Sequence, residues 1–167
     1  MTLAFLSPTG CAEGTTTTPL RRALEAADPQ HVRDLSLDGI VEVRGDVSSV
    51  KPDSGEELLR LSPRRGFLFT GADPVAVVER LRVGGALAYD ATGAYAGIAI
   101  AHERVMRRLT DLDLDSIPTA GPFAHVTALL RRGADGWFHV HVHQELGHYV
   151  AEAVLDALVG LETTGWH

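Results

Sequence analysis

The run Ala94-Tyr95-Ala96-Gly97-Ile98-Ala99-Ile100 constrains this chain's fold more than any other segment. Aromatic and β-branched residues bounded by turn residues mark it as a strand. Side chains alternate across a strand, so Tyr95, Gly97 and Ala99 share one face and Ala96, Ile98 and Ile100 the other. Neither face is polar. A sheet with helices on one face must have its other face polar or covered. This strand therefore needs cover twice, once from helices and once from a second layer of this chain or a neighbouring subunit. Its small residues permit close backbone approach. The preceding run, Ala86-Leu87-Ala88-Tyr89, is also apolar on both sides, and Asp90-Ala91-Thr92-Gly93 between them reads as a hairpin turn.

The same punctuation runs through the rest of the chain. Thr18 is placed to cap a short helix over 20–27, with Pro19 at its first position and Asp28-Pro29 closing it. Gly39–Gly45 and Gly66–Thr70 read as strands, separated first by a polar loop over 46–57. Asp73-Pro74 opens a helix with Val75, Val78 and Leu81 expected on its buried face, and Gly84-Gly85 stops it. A helix from about His102 sets Val105 and Leu109 four apart. After a loop over 118–122, residues 123–131 and 137–143 form a hairpin around Gly133-Ala134-Asp135-Gly136. The last helix, from about His148, turns Val150, Val154, Leu158 and Leu161 inward. This order predicts an α+β fold of antiparallel sheets carrying helices on one face. Residues 1–17 are expected to be a flexible leader, 18–162 a single α+β domain and 163–167 a tail.

Composition removes several functions. The net charge of −7 argues against a nucleic-acid surface. Lys51 is the sole lysine and lies in Val50-Lys51-Pro52, so there is no Walker A loop. No Gly-x-Gly triplet is present, and the dinucleotide fingerprint is absent with it. One cysteine, Cys11, excludes an internal disulfide framework, and no histidine stands beside it to activate it. The start lacks a basic region and a long apolar run, and nothing approaches a membrane span. A cytoplasmic protein that meets neither membrane nor nucleic acid is the expectation.

Three clusters carry possible chemistry. His139, His141 and His143 alternate along a strand and share one face, where they would offer nitrogen ligands to zinc with His148 or Glu145 completing the set. Consecutive ligands on one strand are nearly two residues' rise apart, an awkward spacing. With Phe138, Val140 and Val142 as the core face, the histidines are expected on the solvated side, and no metal site is assigned. Asp111, Asp113 and Asp115 alternate with Leu112 and Leu114, and without a following glycine they read as an acidic, solvent-facing connector rather than a calcium loop. Asp90, at a turn, is a modest general-base candidate whose commoner role is to bond the turn backbone. No Gly-x-Ser-x-Gly elbow exists. The arginine pairs 21–22, 64–65, 107–108 and 131–132 read as surface salt bridging. No catalytic constellation emerges.

The order of segments resembles the gamma subunit of heterotetrameric sarcosine oxidase, itself similar to the folate-binding domain of the glycine-cleavage aminomethyltransferase. The resemblance is co-linear from Thr18 to Ala157. It rests on Thr18-Pro19-Leu20, on the strand end Val43-Arg44-Gly45, on Leu61-Ser62-Pro63-Arg64-Arg65-Gly66-Phe67-Leu68, and on Leu87-Ala88-Tyr89-Asp90-Ala91-Thr92. It continues through Leu109-Thr110-Asp111-Leu112-Asp113-Leu114 with Ile117-Pro118, then Gly136–Val142, Leu146–Val150 and Leu155-Asp156-Ala157. Gly84-Gly85 and Asp90 stand in for the aminomethyltransferase's Gly-Gly-x-x-Asp with the acid displaced, so no catalytic aspartate is carried over. The resemblance implies a non-catalytic subunit that binds no cofactor alone, in a complex whose larger subunits hold flavin and tetrahydrofolate. A free-standing folate-dependent one-carbon transferase and a stand-alone interaction domain are the alternatives.

Overall fold

The computed structural model describes residues 18 and 20–164. Local signals act where the sequence places them. In α2 (Pro74–Val83) the Asp73 carboxylate accepts from the Val75 N–H at 3.1 Å, Pro74 fills the first turn, and Gly84 ends the helix. The long C-terminal α4 (Gly147–Thr164) buries Val150, Val154, Leu158 and Leu161 as expected. Thr163 and Thr164, assigned to a tail on sequence, belong to this helix, while residues 1–17, Cys11 among them, Pro19, expected at the first helical position, and 165–167 lie outside the described residues.

Two antiparallel sheets form the centre. Strands β1 (Val32–Asp34), β6 (Tyr95–Ile100), β7 (Thr119–Phe123), β8 (Val126–Arg132) and β9 (Phe138–His143) make a five-stranded sheet in the order β1-β6-β9-β8-β7. Strands β2 (Gly39–Arg44), β3 (Glu57–Ser62), β4 (Arg65–Thr70) and β5 (Leu87–Asp90) make a four-stranded one in the order β3-β4-β2-β5. Each sheet carries helices on its outer face. On the larger sheet, Ala96, Ile98, Ile100, Ala128, Leu130, Val140 and Val142 pack against Val105 and Met106 of α3 (Glu103–Leu109) and the apolar stripe of α4. On the smaller, Val41, Val43, Leu68 and Ala88 pack under Val77, Val78 and Leu81 of α2. The inner faces meet each other, with Ile40, Leu59, Phe67 and Phe69 of the small sheet against Tyr95 and Leu129 of the large one.

All six residues of β6 are buried, so its second cover comes from this chain. Close approach is used on the helix side. A Cβ added at Gly147 would stand 2.6 Å from the Ala96 Cβ, so α4 starts directly against the strand.

Four expectations need correction. The runs 86–89 and 94–100 do not form a hairpin: β5 pairs with β2, β6 pairs with β1 and β9, and Asp90–Gly93 carries the chain between sheets. Val77, not Val75, joins Val78 and Leu81 inward, because i, i+3, i+4 spacing from Pro74 selects it, and Val75 is exposed. The first helix, α1, spans only Arg21–Leu24, and Thr18 does not cap it with its side chain: the hydroxyl bonds Asp34 instead. Residues 118–122 are mostly strand, since β7 is an edge strand, where Pro122 loses no ladder bond that an interior strand would need.

Candidate functional site

Of the polar groups that are candidates for chemistry, the alternating histidines of β9 lie on the face between the sheets. Register puts Tyr95 opposite His143, Gly97 opposite His141 and Ala99 opposite His139. The histidines therefore share the inner face that the small sheet covers. His141 is 0% exposed and His139 8%; of the three, only His143 is exposed. The expected solvated side is thus a second core face. The error lay in treating β9 as covered once, when its neighbour β6 already required cover twice.

Three ring contacts fix the seam. The His141 ring lies 4.9 Å from Phe69, Tyr95 meets Phe67 edge-on at 5.5 Å, and His143 stacks on Tyr95 at 5.1 Å. Gly97 makes room for the imidazole: a Cβ there would stand 2.8 Å from His141 Nδ1 and 2.8 Å from the Leu35 carbonyl. Both ring nitrogens of His141 are buried without a hydrogen-bond partner, as are those of His139. Burial first, then the charges of Arg131 and His139, pushes the His141 pKa down to about 3. Burial and Arg131 push His139 down to about 4, against an opposing pull from Asp135. Asp135 Oδ1 stands 3.6 Å from His139 Nε2.

Arg131 is the ion that sequence reading missed. Its side chain is mostly buried, with the guanidinium 5.0 Å from the Phe69 ring and reaching Asp38 at 3.5 Å and Glu57 at 3.7 Å. Placing it among surface salt bridges is therefore corrected, although the signal was present: Leu129 and Arg131 alternate on the face that carries the seam. Burial raises the Asp38 pKa against the pull of Arg131 and lowers that of Arg131 against both carboxylates.

The remaining candidates are held apart. His148 pairs with Glu152 at 3.1 Å on α4, and among the described residues no three His, Cys, Asp or Glu side chains gather as a metal site would require. Asp90 is exposed and accepts from the Thr92 N–H at 2.9 Å, the turn-bonding role. Asp111, Asp113 and Asp115 face solvent while Leu114 is buried, and Asp113 accepts from the Asp115 N–H at 3.1 Å. The seam offers neutral imidazoles in a closed interior, a setting for packing and acid sensitivity rather than for proton transfer with a substrate.

No protein-family model and no curated protein matches the sequence. Thirteen chains of solved structures do match. One belongs to heterotetrameric sarcosine oxidase from Corynebacterium sp. U-96, in complex with pyrrole 2-carboxylate, and aligns with a TM-score of 0.74 at 13% identity over 87% of this chain and 95% of that one. The antiparallel α+β architecture expected from sequence is present, and it is the fold of a chain of heterotetrameric sarcosine oxidase over nearly the full length of both.

Proposed function

We propose that this chain is a non-catalytic, gamma-type accessory subunit of a sarcosine-oxidase-like flavoenzyme that oxidatively demethylates an N-methyl amine. The observation that carries the reading is the extent of the likeness: 95% of a chain from a four-chain oxidase is matched by 87% of this one. The residue chemistry supports it. The carboxylate a one-carbon transferase would use, Asp90, is committed to a turn, and two of the three alternating histidines are closed off between the sheets. In this reading flavin and tetrahydrofolate belong to larger partner subunits, the chain binds neither alone, and the complex is cytoplasmic. Among the described residues no helix is long and apolar enough to cross a membrane.

Purification of the tagged chain from its native host tests the reading. Larger flavin-bearing chains should co-purify in fixed ratio, with oxidase activity toward an N-methyl amine in the same fraction. A monomer without partners in native extract overturns it. Heat released on titrating the isolated chain with tetrahydrofolate would instead favour the transferase.

A further inference from the structure

The inner face of the small sheet runs on past the cover that the large sheet gives it. Register places Arg65, Arg44 and Leu87 side by side across β4, β2 and β5, and Phe67, Glu42 and Tyr89 in the next row. The apolar cluster between the sheets takes in Phe67 and leaves out every residue of β5. Leu87 is 58% exposed and Tyr89 46%, although each shares its face with the buried seam. β5 is an edge strand, and on its outward side the Ala88 carbonyl accepts from Arg82 Nε at 3.0 Å.

The charges around this uncovered corner run opposite to those of the molecule. The chain carries a net −7. Here Arg44 and Arg65 hold Glu42 at 3.0 and 2.8 Å, and the Arg82 guanidinium lies 5.7 Å from the Tyr89 ring. Burial alone would raise the Glu42 pKa, but the hydrogen bonds from the two arginines hold it below the ordinary value, so the carboxylate is ionised at neutral pH. Two guanidinium groups thus hold a single carboxylate, and a third stands beside the exposed Tyr89 and bonds the Ala88 carbonyl. Arginine and tyrosine flanking an apolar anchor are the residue types that concentrate binding energy at protein interfaces.

We propose that this corner, Arg44, Arg65, Leu87 and Tyr89, is the surface on which a larger partner subunit docks, through an acidic segment that also carries apolar side chains. The proposal rests on the accessory-subunit reading and adds the location and chemistry of the contact. A second copy of this chain does not suit the site. A two-fold interface sets each patch against itself, and arginines would then oppose arginines. Nucleic acid does not suit it either, since a phosphate backbone leaves Leu87 uncovered and the net charge is repulsive.

The test uses the complex retrieved from the native host. Leu87→Asp and the double variant Arg44→Gln/Arg65→Gln are compared with wild type and with Val159→Asp, an exposed apolar position on α4. Circular dichroism melts first establish that each variant is folded. Wild type and Val159→Asp should retain the flavin-bearing chains, and the two corner variants should lose them by about tenfold or more in affinity. Folded corner variants that retain the partners overturn the docking surface and leave the subunit reading standing. A wild-type chain that retrieves no flavin-bearing partner overturns both. A wild-type dimer in sedimentation that Leu87→Asp breaks, or heparin binding that the arginine variant abolishes, assigns the corner to a second copy or to a polyanion and overturns the proposal.

Discussion

Acid should destabilise this protein well above the pH at which its carboxylates protonate, because two imidazoles must charge to unfold it. In the native state His141 titrates at about 3 and His139 at about 4, against 6.5 when solvated. Below pH 6.5 the unfolded chain takes up protons that the native chain refuses, so stability is complete above that value and falls as pH drops toward the native pKa values. At about 1.36 kcal/mol per pH unit for each group, His141 accounts for a loss on the order of 5 kcal/mol and His139 for one on the order of 3. That sum rivals the total stability of an ordinary domain, about 5–15 kcal/mol, so unfolding should precede protonation of the native seam. Asp38, whose pKa is raised by burial, binds its proton more readily in the native state and opposes the loss at the acid end. His102, lowered by burial and by His31, adds to it. Urea unfolding followed by circular dichroism from about pH 7 to about pH 4.5 reads the slope. With both seam histidines present it should approach about 2.7 kcal/mol per pH unit, and His141→Phe, which keeps a ring against Phe69, should reduce it by about half. A His141→Phe slope equal to that of wild type would refute the reasoning.

Further outcomes follow from the same packing. Ala96→Glu and Ala99→Glu should each abolish folding, judged by circular dichroism and proteolysis, because both faces of β6 are covered by this chain and an unpaired buried carboxylate costs several kcal/mol. Gly97→Ala should lower stability by about 1–3 kcal/mol in urea, since its methyl group meets the Leu35 carbonyl and the His141 ring. Asp73→Ala should cost about 1 kcal/mol, read as a lower melting temperature, through loss of the α2 cap. Asp90→Asn, which keeps an acceptor for the Thr92 N–H, should leave the turnover of the assembled complex unchanged; a loss of activity with folding intact would restore Asp90 as a candidate base.

The elements were legible wherever one local signal sufficed. Asp73-Pro74 and Gly84 bound α2, and the four-residue stripe of α4 shows its buried face directly. What stayed hidden needed information from distant residues. β1 has three residues, too few for a pattern, and β7 contains Pro122 and Gly121, which look like loop until an edge position is known. The pairing of β5 and β6 is not legible locally, because Asp90–Gly93 has hairpin composition and nothing in it says that its two strands belong to different sheets. The histidines were readable one step further. Once Tyr95, Gly97 and Ala99 need a cover, any strand paired beside β6 puts its own same-face residues under that cover, and β9 brings His143, His141 and His139 there in register.

The two doubly apolar runs then part company in a way that bears on function. The pattern in each says only that both faces of the strand need cover; it does not say who supplies it. For β6 the second cover is the small sheet of the same chain, and all six residues are buried. For β5 the helix side is covered through Ala88, but Leu87 and Tyr89 reach past the edge of the large sheet and remain exposed. Extending the large sheet over them would have stabilised an isolated domain. The chain instead sets arginines beside them, which keep the corner soluble and, under the docking proposal, supply charge for an acidic partner to pair with. The same sequence feature thus builds the interior at one strand and leaves exposed apolar side chains at the next.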